Sequence, residues 1–158
     1  SICPVQKLLD RDINVALGTD GAASNNRLSM LGELQTASLI GKSQHGDPKA
    51  VDAWSALEMA TLHGAAALGR QDQLGSIEVG KAADLIALNL SGPQYLPRYD
   101  LASSLVYANA GNEVHWSWVA GKPLVCAGTL QTLDYTDLAE RAGSWSTQLG
   151  AFRRTLES

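Results

Sequence analysis

The sequence predicts an α/β chain, on three observations. A short apolar run, Val15-Ala16-Leu17, breaks abruptly into a polar loop rich in Gly, Ser and Asn, as a buried strand does at its carboxyl end. Apolar residues then recur at helical spacing over residues 28–42 and again over 55–69. Beyond residues 69–73 the period turns strand-like, with turn glycines at Gly75 and Gly80.

Taken in order, residues 4–10 read as a short helix, with Pro4 in its first turn and Val5, Leu8 and Leu9 on one face. Asp12 and Asn14 turn the chain into a strand over residues 15–18. A lone strand leaves its edges bare, so something else must complete its sheet. The helix over 28–42 carries Leu28, Leu31, Leu34, Leu39 and Ile40, and Gly32 and Gly41 weaken it. Residues 43–49 form a loop. Asp52 or Ser55 caps the helix of Ala56, Leu57, Met59, Ala60 and Leu62. A second helix of small residues, 63–69, follows it and permits close packing. Residues 83–88 read as a buried strand and 101–108 as a short helix capped by Asp100. Val114, Trp116 and Trp118 share one face of the next strand. A turn at Ala120-Gly121-Lys122 closes a hairpin with residues 123–126. Over residues 135–156, Leu138, Ala142, Trp145, Leu149, Phe152 and Leu156 form one apolar stripe. That stripe is expected to pack on its own protein.

Composition narrows the function. The 158 residues, 45% hydrophobic and 18% charged, suffice for one good core. A net charge of −4 argues against a nucleic-acid binder. Cys3 and Cys126 form no close pair and read as reduced or buried thiols. No apolar run is long enough to span a membrane, and no signal peptide is visible. The expected compartment is cytoplasmic.

Asp20 ends the loop's approach, just past the carboxyl end of the expected strand, where α/β proteins place their chemistry. The same position suits an ordinary turn or capping aspartate. Ser24 and Asn25 either touch a substrate or hold the loop's own backbone. His45, His63 and His115 stand in three different elements without ligand spacing. His45 reads as solvated, His63 as a capping or core residue and His115 as a surface residue. No phosphate loop and no nucleophile elbow is present.

The stretch Gly18-Thr19-Asp20-Gly21-Ala22-Ala23-Ser24-Asn25-Asn26 resembles the eighth-strand motif of the amidohydrolase superfamily. It is nearest to the branch of S-adenosylhomocysteine and 5'-methylthioadenosine deaminases. A second stretch, Gly75-Ser76-Ile77-Glu78-Val79-Gly80-Lys81-Ala82-Ala83-Asp84-Leu85-Ile86-Ala87-Leu88, resembles the segment where such enzymes leave the barrel for a small β domain. The resemblance covers nearly the whole chain. It implies the C-terminal portion of a (β/α)8 metal-dependent hydrolase barrel, part of a small β-sandwich domain and a C-terminal helix. Residues 1–72 would be the last strand and closing helices of the barrel, 73–133 the β-sandwich segment and 134–158 the terminal helix. A whole barrel takes roughly 200–250 residues, so this would be the last part of a longer protein.

The resemblance also implies a zinc-dependent aminohydrolase acting on an adenine nucleoside, with one divalent metal per active site. Asp20 would be both metal ligand and catalytic residue, and Ser24 and Asn25 the candidate substrate contacts. The other ligands, a His-x-His pair and two further histidines, would lie upstream of Ser1 in the missing N-terminal part of the same protein. In the family's mechanism the metal acidifies a water that attacks the ring. Asp20 would take its proton and pass it to the leaving amine. The rival readings are another ring hydrolase (guanine or cytosine deaminase, triazine chlorohydrolase) and a non-catalytic assembly domain. Neither nucleic acid nor membrane is an expected partner; a homodimer through the tryptophan-bearing strand is a further expectation.

Overall fold

The computed structural model describes residues 2–108 and 114–156 and has a mixed α/β fold. Four helices come first: α1 (Val5–Leu9), α2 (Met30–His45), α3 (Ala53–Ala60) and α4 (Leu62–Ala67). Strand β1 (Leu85–Leu88), a 3-10 turn (Pro93–Tyr95) and helix α5 (Leu101–Tyr107) follow. The chain then forms β2 (Val114–Val119), β3 (Lys122–Cys126), β4 (Thr129–Leu130) and a terminal helix, α6 (Tyr135–Leu156).

Local chemistry sets the helix ends. Ser29 Oγ accepts the Gly32 amide at the start of α2, Asp52 accepts the Ser55 amide for α3, and Asp100 accepts the Ser103 amide for α5. Gly46, at φ 75°, closes α2 in the left-handed conformation, so the helix runs three residues past its expected end at Lys42.

The core lies between α2, α3 and α5. Leu34, Val51, Ala53, Ala56, Met59, Ala102 and Val106 are buried together there. Small residues allow the close approach: a Cβ at Gly41 would come within 2.9 Å of Val51 Cβ. Ser38 is the one buried polar side chain among the described residues, and it is satisfied. Its hydroxyl donates to the Val51 carbonyl at 2.5 Å and lies 2.7 Å from Tyr107 Oη. Lys42 Nζ donates to the Ala50 carbonyl at 2.8 Å and lies 5.7 Å from the centre of the Tyr107 ring.

The sheet is antiparallel, in the order β1-β2-β3-β4. Asp84 ties it to the β2–β3 turn, accepting the Ala120 amide at 2.7 Å while Gly121 N–H donates to the Ala83 carbonyl. Trp116 and Trp118 stack at 5.8 Å, as the shared face requires. Register shifts at Ala87/Leu88 and Ser117/Trp118 interrupt strict alternation of burial along β2. Cys3 is exposed, Cys126 is half-buried, and both are free.

Three features differ from, or go beyond, the sequence reading within this chain. Residues 15–18 enter no ladder among the described residues, because a strand requires a neighbour and none is described beside them. Strand β4, only two residues long behind the Ala127-Gly128 turn, was too short to leave a periodic signal. The apolar stripe of α6 does not pack on this chain: the helix has no buried residue, and Trp145 and Phe152 are 60% and 61% exposed. Periodicity defines a face but not what covers it.

Candidate active site

The approach to Asp20 is pinned to the α3–α4 junction. Leu17 N–H donates to the Met59 carbonyl at 3.0 Å, and Asn14 Nδ2 donates to the His63 carbonyl at 3.0 Å. His63 returns the contact through Nδ1, 3.2 Å from the Val15 carbonyl oxygen. The expected core role for His63 is thus a tether on the run that leads into the loop.

Asp20 then adopts φ 58°, a left-handed conformation uncommon for a residue with a Cβ. Such positions persist where the surroundings over-determine them. Oδ1 accepts the Gly21 amide and Oδ2 accepts the Ser24 hydroxyl, each at 2.7 Å. The Ser24 hydroxyl first and the Gly21 amide second hold the carboxyl of Asp20 below the usual aspartate range. The carboxylate is exposed and ionised at neutral pH. Each oxygen keeps a further lone pair open.

Asn25 sits behind this turn, half-buried. Its Nδ2 donates to the Thr19 carbonyl at 2.8 Å and to Glu33 Oε1 at 2.9 Å, while Oδ1 accepts the Arg27 amide at 2.9 Å. The structure therefore brings Asp20, Ser24 and Asn25 together and adds Glu33, which sequence reading missed. A carboxylate in the first turn of a helix is ordinarily just favourable to the helix dipole, so nothing local marked it out.

His45 ends α2, exposed, and His115 is exposed on β2. Among the described residues no three His, Cys, Asp or Glu side chains converge as a metal site. No described helix is long and apolar enough to cross a membrane. An apolar groove is lined by Leu17, Ala60, Gly64, Gly75, Leu85 and Ile86 among others; Asp20 does not line it.

An exposed carboxylate on a tightly bonded loop is chemically competent to bind a metal or move a proton, and comparison with known proteins defines the class. The amidohydrolase family profile matches residues 1–124, and this chain belongs to that family. Among its relatives, a 5-methylthioadenosine/S-adenosylhomocysteine deaminase of Teredinibacter turnerae is 49% identical over 96% of this chain and 34% of its own length. A 5'-deoxyadenosine deaminase of Methanosarcina acetivorans is 41% identical over 95% of this chain and 34% of its own. The crystal structure of an adenosine deaminase from Xanthomonas campestris with bound zinc superposes at a TM-score of 0.91, with 40% identity over 96% of this chain and 34% of that one. An atrazine chlorohydrolase from Arthrobacter aurescens, complexed with zinc, gives 0.81 at 30% identity, over 91% of this chain and 32% of that one. The chain spans about a third of the length of the curated relatives it matches.

Proposed function

We propose that this chain is the C-terminal part of a zinc-dependent aminohydrolase that converts an adenine nucleoside to its inosine counterpart and ammonia. S-adenosylhomocysteine, 5'-methylthioadenosine and adenosine are the substrates in view. The observation that carries the reading is Asp20: an exposed carboxylate, held ionised by two donors on a left-handed turn, in a chain of this family. The divisions at residues 72 and 133 go with it, as the barrel's close, a β-sandwich segment and a terminal helix.

The residues present fit a metal in part. Asp20 offers open lone pairs on an ionised carboxylate and would be one ligand. One carboxylate does not make a metal site, and the histidine ligands would come from residues upstream of this chain. When bound, the metal supplies the acidity that makes water a nucleophile near neutral pH. Asp20 itself takes up the proton of the attacking water and delivers it to the departing amine, as general base and then general acid. Its low pKa keeps it in the accepting form. Ser24 gives its one proton to Asp20 and retains acceptor capacity. Asn25 keeps one lone pair on Oδ1. Those are the groups to which a substrate hydroxyl could donate.

The test is ammonia release from the three nucleosides by the longer protein that carries this chain, with guanine, cytosine and a chlorotriazine as competing substrates. Asp20→Asn should lower kcat by at least about 100-fold, the scale of general acid–base catalysis. Retained turnover would remove Asp20 from the mechanism. Preference for the chlorotriazine would favour the second reading, which the 30% identity to a chlorohydrolase supports.

A further inference from the structure

We infer that Glu33 is a positioning residue for Asp20, acting through the side chain of Asn25. The inference rests on the reading of Asp20 as the proton-transfer group.

The route is short and fully bonded. Glu33 stands in the first turn of α2, a 16-residue helix seated in the core by Leu34 and Ser38. Its Oε1 accepts one Nδ2 hydrogen of Asn25 at 2.9 Å. The other Nδ2 hydrogen goes to the carbonyl of Thr19, the residue immediately before Asp20, at 2.8 Å. Oδ1 of the same amide accepts the Arg27 amide at 2.9 Å. Asn25 thus clamps both ends of the 19–27 loop, and Glu33 fixes which way the amide faces. Its oxygen accepts only from the NH₂ end, so the reversed amide would set oxygen against oxygen at both Thr19 and Glu33.

The need for such a clamp is visible in the backbone. Asp20 and its neighbours form a tight turn in which Ser24 and Asn25 N–H both donate to the Gly21 carbonyl. A left-handed aspartate relaxes unless its flanks are fixed. The peptide before Asp20 is held by Asn25 alone among the described side chains from beyond residue 20. Both Asn25 donors are spent inside the chain, so this amide can orient the loop but cannot donate to a substrate.

Two variants in the longer protein that carries this chain separate the possibilities. Glu33→Ala removes the acceptor, while Glu33→Gln keeps an acceptor oxygen and drops the charge. Deaminase kinetics should show kcat lower by roughly 10–100-fold in Glu33→Ala with KM within about twofold, the scale of losing a supporting partner of a functional side chain. Glu33→Gln should recover to within about threefold of the parent. Amide hydrogen exchange over residues 19–27 should be faster in Glu33→Ala and near the parent's rate in Glu33→Gln. A loss confined to KM, or unchanged exchange across the loop in Glu33→Ala, would overturn the inference. The exchange measurement needs no turnover: if the parent releases no ammonia but the loop still responds, the aminohydrolase reading fails and the clamp stands.

Discussion

Helices α2 and α6 make an instructive pair. Both are long, with 16 and 22 residues, and both carry apolar residues at helical spacing. In α2 the stripe is interrupted by Ser38 and Gly41, and these small residues let Val51 and Tyr107 come close enough to seal Leu34 in the core. In α6 the stripe is richer in large side chains, Leu138, Trp145, Leu149 and Phe152, and none of them is buried. Burial follows from a matching surface, which α2 has in α3 and α5. It does not follow from how apolar the helix face is.

The comparison can be broken from its packed side first. Met59 is fully buried in the core that α2 and α3 share, so Met59→Ala should lower unfolding free energy by about 2–5 kcal/mol in urea titration. It should also loosen the Leu17 tether, whose acceptor is the Met59 carbonyl. Gly41→Ala pushes a methyl against Val51, and overpacking of this kind costs about 1–3 kcal/mol. A thermal melt that did not move would mean α2 is less closely seated than described.

The cap of α5, the third member of the packed region, gives a smaller and pH-dependent effect. The Ser103 hydroxyl and then the Ser103 amide hold the Asp100 carboxyl below its usual value. A depressed carboxylate stabilises the fold above its unfolded pKa, about 3.9, and that contribution fades as pH falls through the lower folded value. Asp100→Asn should therefore lower Tm slightly near neutrality, flatten the acid side of a Tm-against-pH curve and converge with the parent at low pH. The smallest effect belongs to the bare side. Trp145→Ser combined with Phe152→Ser should shift the stability of this chain by no more than about 0.5 kcal/mol. A larger loss from the same pair in a longer protein carrying the chain would show that its other residues cover the stripe.

The helices of the packed region were legible because their signals are local. Apolar spacing and the caps at Asp52 and Asp100 lie within a few residues of what they control. The terminal helix was legible as a helix for the same reason, while its surroundings were not. The run at 15–18 read as a strand because its composition suits one, but a ladder is a property of two segments. Asp20 could be singled out from its place after the apolar run. The bond between Asn25 and Glu33 could not, because they stand eight positions apart across loop and cap and neither residue type marks the pairing.

The open flank of β1 has a practical consequence. Among the described residues Leu85-Ile86-Ala87-Leu88 pairs with β2 on one side only; it carries no charge and leaves Ile86 55% exposed. Asp84, the nearest carboxylate, is occupied by the Ala120 amide and does not guard that edge. An apolar edge of this kind is a template for strand-to-strand aggregation. In colloidal terms the chain at high concentration is expected to stick along one line, and Ile86→Lys should act as a gatekeeper that keeps it dispersed, as light scattering would show.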